Sequence, residues 1–235
     1  MTSVNTADLR RGALDTLPIL LGVVPFGVTF GIVGLTVGLT PLETILMSLL
    51  VFAGAAQFIS ATMIGMGITD FTLIILTTLL INLRHLLMGV SLAPWLTRLP
   101  LARQALLAFL MVDESYAITI DRIAKHGYSA SHQLGASSAL FAAWAAATVA
   151  GVLIGEYIPD PLAWGLDFAL PATFLAMLIP RLDSRASLIV CIVAAVVAVG
   201  AALYLPGKWY IILAALAATL AGGLMENGSQ KEETA

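Results

Sequence analysis

Long apolar stretches separated by short polar breaks set the pattern of this chain. The apolar runs fall near residues 17–39, 42–66, 70–93, 104–121, 134–155, 162–180, 186–205 and 209–225. A helix rises about 1.5 Å per residue and a bilayer's hydrocarbon core is about 30 Å thick, so about 20 apolar residues make one crossing. The pattern therefore predicts an all-α, polytopic transmembrane bundle of seven or eight helices, forming a single integral membrane domain over 1–235. The fourth run is the weakest, because it contains Asp113 and Glu114. The eighth is short and begins after the Pro206-Gly207-Lys208 turn. Arg10-Arg11 before an apolar stretch resembles a signal sequence. The run from Leu17 to Leu39 is too long for one and has no small-x-small cleavage site, so it is expected to be the first crossing. The acidic end, Glu226 to Ala235, is expected to be disordered.

Composition agrees with this class. Hydrophobic residues make up 60% of the chain and charged ones 11%, with a mean hydropathy of +0.98, whereas a soluble domain is about a quarter charged. The net charge of -3 is spread over short loops without a basic stripe, which argues against a nucleic-acid partner. The single cysteine, Cys191, lies in an apolar run, is read as packing, and rules out an internal disulfide. With no ligand-spaced histidine pair either, neither a metal nor a cofactor is expected. His126 and His132 are expected to be solvated or interfacial. Eight crossings with a cytoplasmic N-terminus place Arg10, Arg11, Arg122, Lys125, Arg181, Arg185 and Lys231 inside. Arg98, Arg103 and Lys208 fall outside. That balance follows the positive-inside rule for a cytoplasmic-membrane protein, with Arg98 and Arg103 against it.

The second and sixth runs share a pattern, F-A-x-x-A-x-F-aliphatic, at Phe52–Ile59 and Phe168–Leu175. Each copy carries a helix-weakening residue, Gly54 in one and Pro171 in the other. Paired interruptions of this kind mark transporters built from repeats, whose discontinuous helices bind substrate near the midplane. Repeat halves would then be 17–121 and 134–225. A shift of four helices makes the repeat parallel, and it would be inverted only if one run is re-entrant. The simpler alternative is close helix packing at Gly54 and a plain kink at Pro171. The pairs Gly27/Gly31, Gly34/Gly38 and Gly151/Gly155 have the spacing of close helix contacts.

The chemistry concentrates in Asn82-Leu83-Arg84-His85 and in Asp113-Glu114. A charged side chain at a helix centre costs about 2.5–3.5 kcal/mol even on the lenient insertion scale, so Arg84 needs a counter-charge, a hydrated cavity or a ligand. Asn82 and His85 share a helix face with Gly89, and Tyr116 stands beside Asp113. A pair between Arg84 and one of the two carboxylates makes both helices insertable. Such a pair is also all that a purely structural reading requires. Two carboxylates against one arginine leave an acidic group over, and such a group can carry a proton. An amino acid zwitterion needs donors for its carboxylate, acceptors for its ammonium and an apolar pocket. Arg84 or a helix-end amide can serve the carboxylate, Gln57 and carbonyls near Gly54 the ammonium, and Phe58 and Phe174 the side chain. Asp113 or Glu114, relayed by His85, would couple protons.

Gly54-Ala55-Ala56-Gln57-Phe58, Asn82-x-Arg84-His85-x-x-x-Gly89, Asp113-Glu114 and Leu170-Pro171-Ala172-Thr173-Phe174 together resemble the AzlC family, the large subunit of two-component branched-chain amino acid exporters. The resemblance spans nearly the whole chain and adds Pro171 and Thr173 to the expected substrate site. It implies ion-driven export of leucine, isoleucine, valine or related amino acids across the cytoplasmic membrane. It further implies a separate small hydrophobic membrane subunit of the AzlD type. The residues themselves leave open a channel, an exporter of another small polar solute, a non-transporting assembly subunit and a homo-oligomer. They offer no nucleophile in a context that would make an enzyme.

Overall fold

The computed structural model describes residues 5–68, 70–157, 175, 178, 179, 182, 184–205 and 209–233, leaving out the side chains of 211 and 226–233. The chain divides into two units, Met1–Leu170 and Pro171–Ala235. The described residues of the first unit form eight helices: α1 Thr6–Asp15, α2 Leu17–Thr36, α3 Pro41–Leu50, α4 Gly54–Gly65, α5 Phe71–Leu96, α6 Leu101–Phe109, α7 Asp113–His126 and α8 Ala130–Glu156. Those of the second form α9 Arg185–Tyr204 and α10 Trp209–Glu233. The expected all-α membrane bundle is what the chain forms, and α2, α5, α8 and α9 are long and apolar enough to cross a bilayer.

Local sequence explains most boundaries. Asn5, Asp70 and Ser129 cap α1, α5 and α8 by accepting hydrogen bonds from first-turn amides, and Thr40 with Glu43 makes a full capping box on α3. α2 ends in a turn in which the Gly38 amide donates to Leu35 and the Leu39 amide to Gly34. Gly38 has a φ of +91°, a conformation that suits glycine best. It therefore serves as a helix stop, and the helix contact expected of it belongs to Gly34 alone, which lies against Thr44.

α8 is the spine of the first unit. α2 lies parallel to it in backbone contact. A β-carbon on Gly27 would stand 2.8 Å from the Ala147 β-carbon, one on Gly31 2.4 Å from the Thr148 carbonyl oxygen, and one on Gly155 3.0 Å from Leu35. The close-contact spacing of Gly27/Gly31 and Gly151/Gly155 thus does what such small residues do between membrane helices. α1 docks on the start of α8 in the same way, through Gly12 and Gly135. It is held there by Asp8, which accepts from the Ser129 hydroxyl at 2.8 Å and faces Arg122 at 3.5 Å. The Ser129 bond, with Arg122 and Arg11 adding to it, keeps the Asp8 carboxyl below its ordinary range. Asp15 meets His132 Nε2 at 2.8 Å. His132 is buried, against the expectation of a solvated ring, because α1 covers that turn of α8.

Two of the apolar runs do not traverse the bundle. Thr44 of α3 lies beside Gly34 near the end of α2, and Ser48 lies deeper, beside Thr148 and Trp144. The chain then breaks at Val51-Phe52-Ala53 and returns as α4. Phe58 stands against Phe26 and Phe30, and Gly65 against Val37 at the end of α2 again. So α3–α4 is a re-entrant hairpin that goes in and comes out at one end. α6–α7 is another, from the opposite end. Leu107 of α6 packs on Met88, Leu92 and Leu96 of α5, the chain breaks at Leu110-Met111-Val112, and α7 returns with Tyr116 on Ser91 and Tyr128 on Trp95. A long helix followed by a hairpin occurs twice, α2–α4 and α5–α7, in opposite directions. This is inverted-repeat topology.

The hairpins correct the crossing count at 42–66 and 104–121, and they remove the charge anomaly. With α6–α7 re-entrant, Arg98 and Arg103 lie at the same end of the unit as Arg10, Arg11, Arg122 and Lys125. Hydropathy alone sees two interrupted runs as two crossings because it counts residues and not direction.

The outer faces carry exposed leucines, such as Leu21, Leu86 and Leu87, as a helix against lipid tails requires. In the second unit α9 and α10 pack together along an apolar crevice of about 910 Å³ lined by Val190, Cys191, Ala194 and Gly222 among others. Cys191 is a half-buried free thiol there. α10 carries helical backbone to Glu233, into the acidic end expected to be disordered. The second copy of the F-A repeat, with Pro171, Thr173 and Phe174, lies outside the described residues.

Candidate functional site

Both hairpin tips meet the same residue of the spine. The Phe52 ring stands 5.0 Å from Phe141, edge to face, and Phe109 stands 6.1 Å from the same ring. Phe141 is near the middle of α8, so the tips lie at mid-depth. Beyond each tip a helix begins, α4 at Gly54 and α7 at Asp113. The first amides of a helix have no partner inside it, and its start carries a partial positive charge. Two such starts therefore come close to one level in the centre of the unit.

The first tip is stapled by Gln57. Its Oε1 accepts from the Ala53 amide at 3.2 Å and its Nε2 donates to Ser48 Oγ at 2.9 Å. Trp144 Nε1 also donates to Ser48, at 3.1 Å. With both acceptor sites taken, the Ser48 hydroxyl donates to Thr148 Oγ1, 2.8 Å away. Gln57, Ser48 and Thr148 have no exposed surface. Phe58 is equally buried, packed on Phe26 and Phe30, with Trp144 completing the aromatic cluster. Gly54 starts α4 under the Trp144 ring, which would stand 3.1 Å from any β-carbon there. Phe52 takes a φ of +44°, a strained choice for an aromatic residue that costs about 1–3 kcal/mol and persists only where its surroundings hold it. Of the residues expected at the substrate, Gln57 and Phe58 thus hold the break together from behind.

Replacing Gln57 by leucine strips the partner from the Ala53 amide and one donor from Ser48. A buried group left unpaired costs about 1–3 kcal/mol. The thermal midpoint of the purified protein in detergent should fall by several degrees, and an unchanged midpoint would mean that the break needs no staple.

The second tip carries the charges. Arg84, at the centre of α5, makes an ion pair through Nη1 with the Asp113 carboxylate at the first position of α7. Asp113 and Glu114 both stand in the first turn, where the helix start favours negative charge. Ser115 closes that turn by accepting from the Val112 amide at 3.0 Å. Tyr116 hydrogen-bonds Ser91 at 2.8 Å, which ties α7 to α5 two turns beyond Arg84. Gly89 lies beside Met111. Asn82 and His85 flank Arg84, half-buried, and Glu114 is half-buried beside Asp113. The buried atoms Arg84 Nε and Asn82 Oδ1 have no hydrogen-bond partner among the described residues. With His85 Nδ1, which also has no partner among the described residues, three unspent polar atoms therefore flank an ion pair whose side chains are 28% and 25% exposed.

The break before Asp113 was not foreseen, although Asp-Glu-Ser is a helix-start signature even inside an apolar run. Phe52 was named only as the start of the F-A repeat, and Phe141, Ser48 and Thr148 were missed. For Ser48 and Thr148 the one sequence signal is a small hydroxyl residue inside an apolar run.

A helical membrane protein with two interrupted segments whose tips meet one residue of the spine, the second tip holding an arginine–carboxylate pair, is a class that comparison narrows further. The chain belongs to the AzlC family: the family model described as AzlC protein matches residues 18–158, the stretch that holds both hairpins and the spine. It is 29% identical to the inner membrane protein YgaZ of Escherichia coli over 82% of this chain and 80% of that one. It is 27% identical to the branched-chain amino acid transport protein AzlC of Bacillus subtilis, over 74% and 68%. An uncharacterized membrane protein of Archaeoglobus fulgidus is 30% identical over 77% and 78%. No solved structure matches the chain.

Proposed function

We propose that this protein is the substrate-carrying subunit of a secondary exporter for branched-chain aliphatic amino acids in the cytoplasmic membrane. The Arg84–Asp113 pair, at the second of two re-entrant tips that share Phe141, carries this reading. A zwitterion there offers its carboxylate to Arg84 Nε and to helix-start amides, and its ammonium to Asn82 Oδ1 and the acidic pair. An incoming carboxylate competes with Asp113 for the guanidinium, and an Asp113 released from that pair can take a proton. Binding and protonation are then linked through one cation. His85, one residue from Arg84, relays the proton. Pro171, Thr173 and Phe174 are proposed to complete the apolar side of the site. The name of the Bacillus relative supports the substrate class. The one-ended gathering of basic residues supports a cytoplasmic N-terminus, and a small hydrophobic membrane subunit is proposed as the partner.

Vesicles holding the chain alone, or with its small membrane neighbour, should be loaded with labelled valine and assayed for counterflow and for gradient-driven efflux. Asp113→Asn and Glu114→Gln should lower gradient-driven efflux far more than counterflow in at least one case. If both variants keep gradient-driven transport at the original rate, these carboxylates do not couple it.

A further inference from the structure

A second polar feature lies outside the ion pair. Between the end of α1, the outer half of α7 and the start of α8 the unit encloses a crevice of about 610 Å³. Its lining includes Arg11, Asp15, Ala117, Asp121, Lys125 and His132. That volume suits a small solute, since ligand pockets run from about 300 to 1,000 Å³. The lining carries both signs. Lys125 pairs with Asp121 at 2.8 Å and Asp15 with His132 at 2.8 Å, and Arg11 and Arg122 line the same space, so groups of both signs border it.

Its position gives it a role. Asp113, Ala117 and Asp121 stand one turn apart on one face of α7. The deepest lining residue on that helix, Ala117, is four positions and so about 6 Å of helix rise from Asp113. Ala117 is exposed although it lies within the returning run of a hairpin, because the crevice opens alongside it. The mouth is at the end of the unit where α1 and the basic residues Arg11, Arg122 and Lys125 gather.

We infer that this crevice is the access vestibule of the transport site, a low-affinity station in which a small zwitterion rests before it moves along α7 to Arg84 and Asp113. The inference rests on the transport reading above and names where the substrate waits and by which face of α7 it travels. Its cations take the carboxylate, Asp121 and Asp15 take the ammonium, and Leu14 and Ile118 receive the aliphatic group. A zwitterionic lipid headgroup offers the same pair of charges, and the test separates the two sources.

The experiment uses the full chain with Cys191→Ser, so that an introduced cysteine is the sole thiol, in Ala117→Cys and Leu87→Cys versions. Leu87 is 70% exposed on the apolar face of α5 and serves as the lipid-facing control. In detergent, a cationic methanethiosulfonate should label Ala117→Cys readily and Leu87→Cys barely. Free valine should slow the Ala117→Cys reaction several-fold, and acetate or ethylamine alone should not. In sealed vesicles labelling should come from the side that holds the N-terminus. No labelling of Ala117→Cys from either side overturns the vestibule, as does labelling that valine leaves unchanged. Protection by phosphatidylethanolamine vesicles without protection by valine assigns the crevice to a lipid headgroup and overturns the proposal as well. Labelling needs no turnover, so failure of the Asp113 and Glu114 efflux assay leaves this readout intact and points to the coupling reading instead.

Discussion

Arg84→Ala is expected to abolish the proposed valine efflux, and Arg84→Lys to retain a small part of it. Removing one partner of a largely desolvated, hydrogen-bonded charge pair costs about 2–5 kcal/mol, much of it from the charge left behind, which is at least about 30-fold in any equilibrium that depends on the pair. Lysine keeps the positive charge but lacks the planar fork that lets Nη1 hold Asp113 while Nε stays available to a ligand. Loss of activity alone would not distinguish a binding group from a clasp that orders α5 and α7. The double replacement Arg84→Leu with Asp113→Leu does. Exchanging a buried ion pair for apolar residues of similar size is often neutral or stabilising. The thermal midpoint in detergent should therefore recover toward that of the unsubstituted protein while valine efflux stays absent. If the double variant transports, the pair is structural and the substrate site lies elsewhere.

The elements that this variant tests were unequally legible in the sequence. Arg84 announced itself by cost, since an arginine at the centre of a 26-residue apolar helix has few ways to be satisfied, and the other comparably deep charges were the carboxylates in the next run. Gly54 marked a break for a similar reason, as a weak helix former beside small residues. Direction left no such trace. A hairpin of two half-length helices has nearly the length and hydropathy of one crossing, and its turn is made by Phe52 and Val112, residues that ordinarily read as helix interior or strand. The misplaced Arg98 and Arg103 were the one sign that the parity of crossings was off, and they point to re-entrance only once the hairpin contacts are known. Gln57 shows the complementary limit. An amide in a membrane helix reads equally as ligand or as staple, and the sequence does not show the two partners, the Ala53 amide and Ser48, that tie Gln57 to the break.

Gly151→Ala should destabilise the first unit more than any other single methyl added along the α2–α8 seam. The added carbon would stand 2.1 Å from the Val28 carbonyl oxygen, and because that neighbour is backbone, no rotamer change relieves the clash. The two helices have to separate. Parting them loosens the Phe26, Phe30 and Trp144 packing and the Thr148 to Ser48 bond that hold the first hairpin tip. Overpacking of this kind costs about 1–3 kcal/mol, and at about 2–4 °C per kcal/mol for a unit of this size the midpoint should drop by roughly 2–12 °C. Leucine in its place should prevent accumulation in the membrane. Gly200→Ala on α9 is the matched control, since nothing stands within 4 Å of the added carbon and alanine is the better helix former, so its midpoint should hold or rise slightly. Because the seam positions α3 and α4 against Phe141, Gly151→Ala should also slow valine efflux in whatever fraction folds. A variant that melts early yet transports at the full rate per folded molecule would show that the hairpin tip does not depend on the seam.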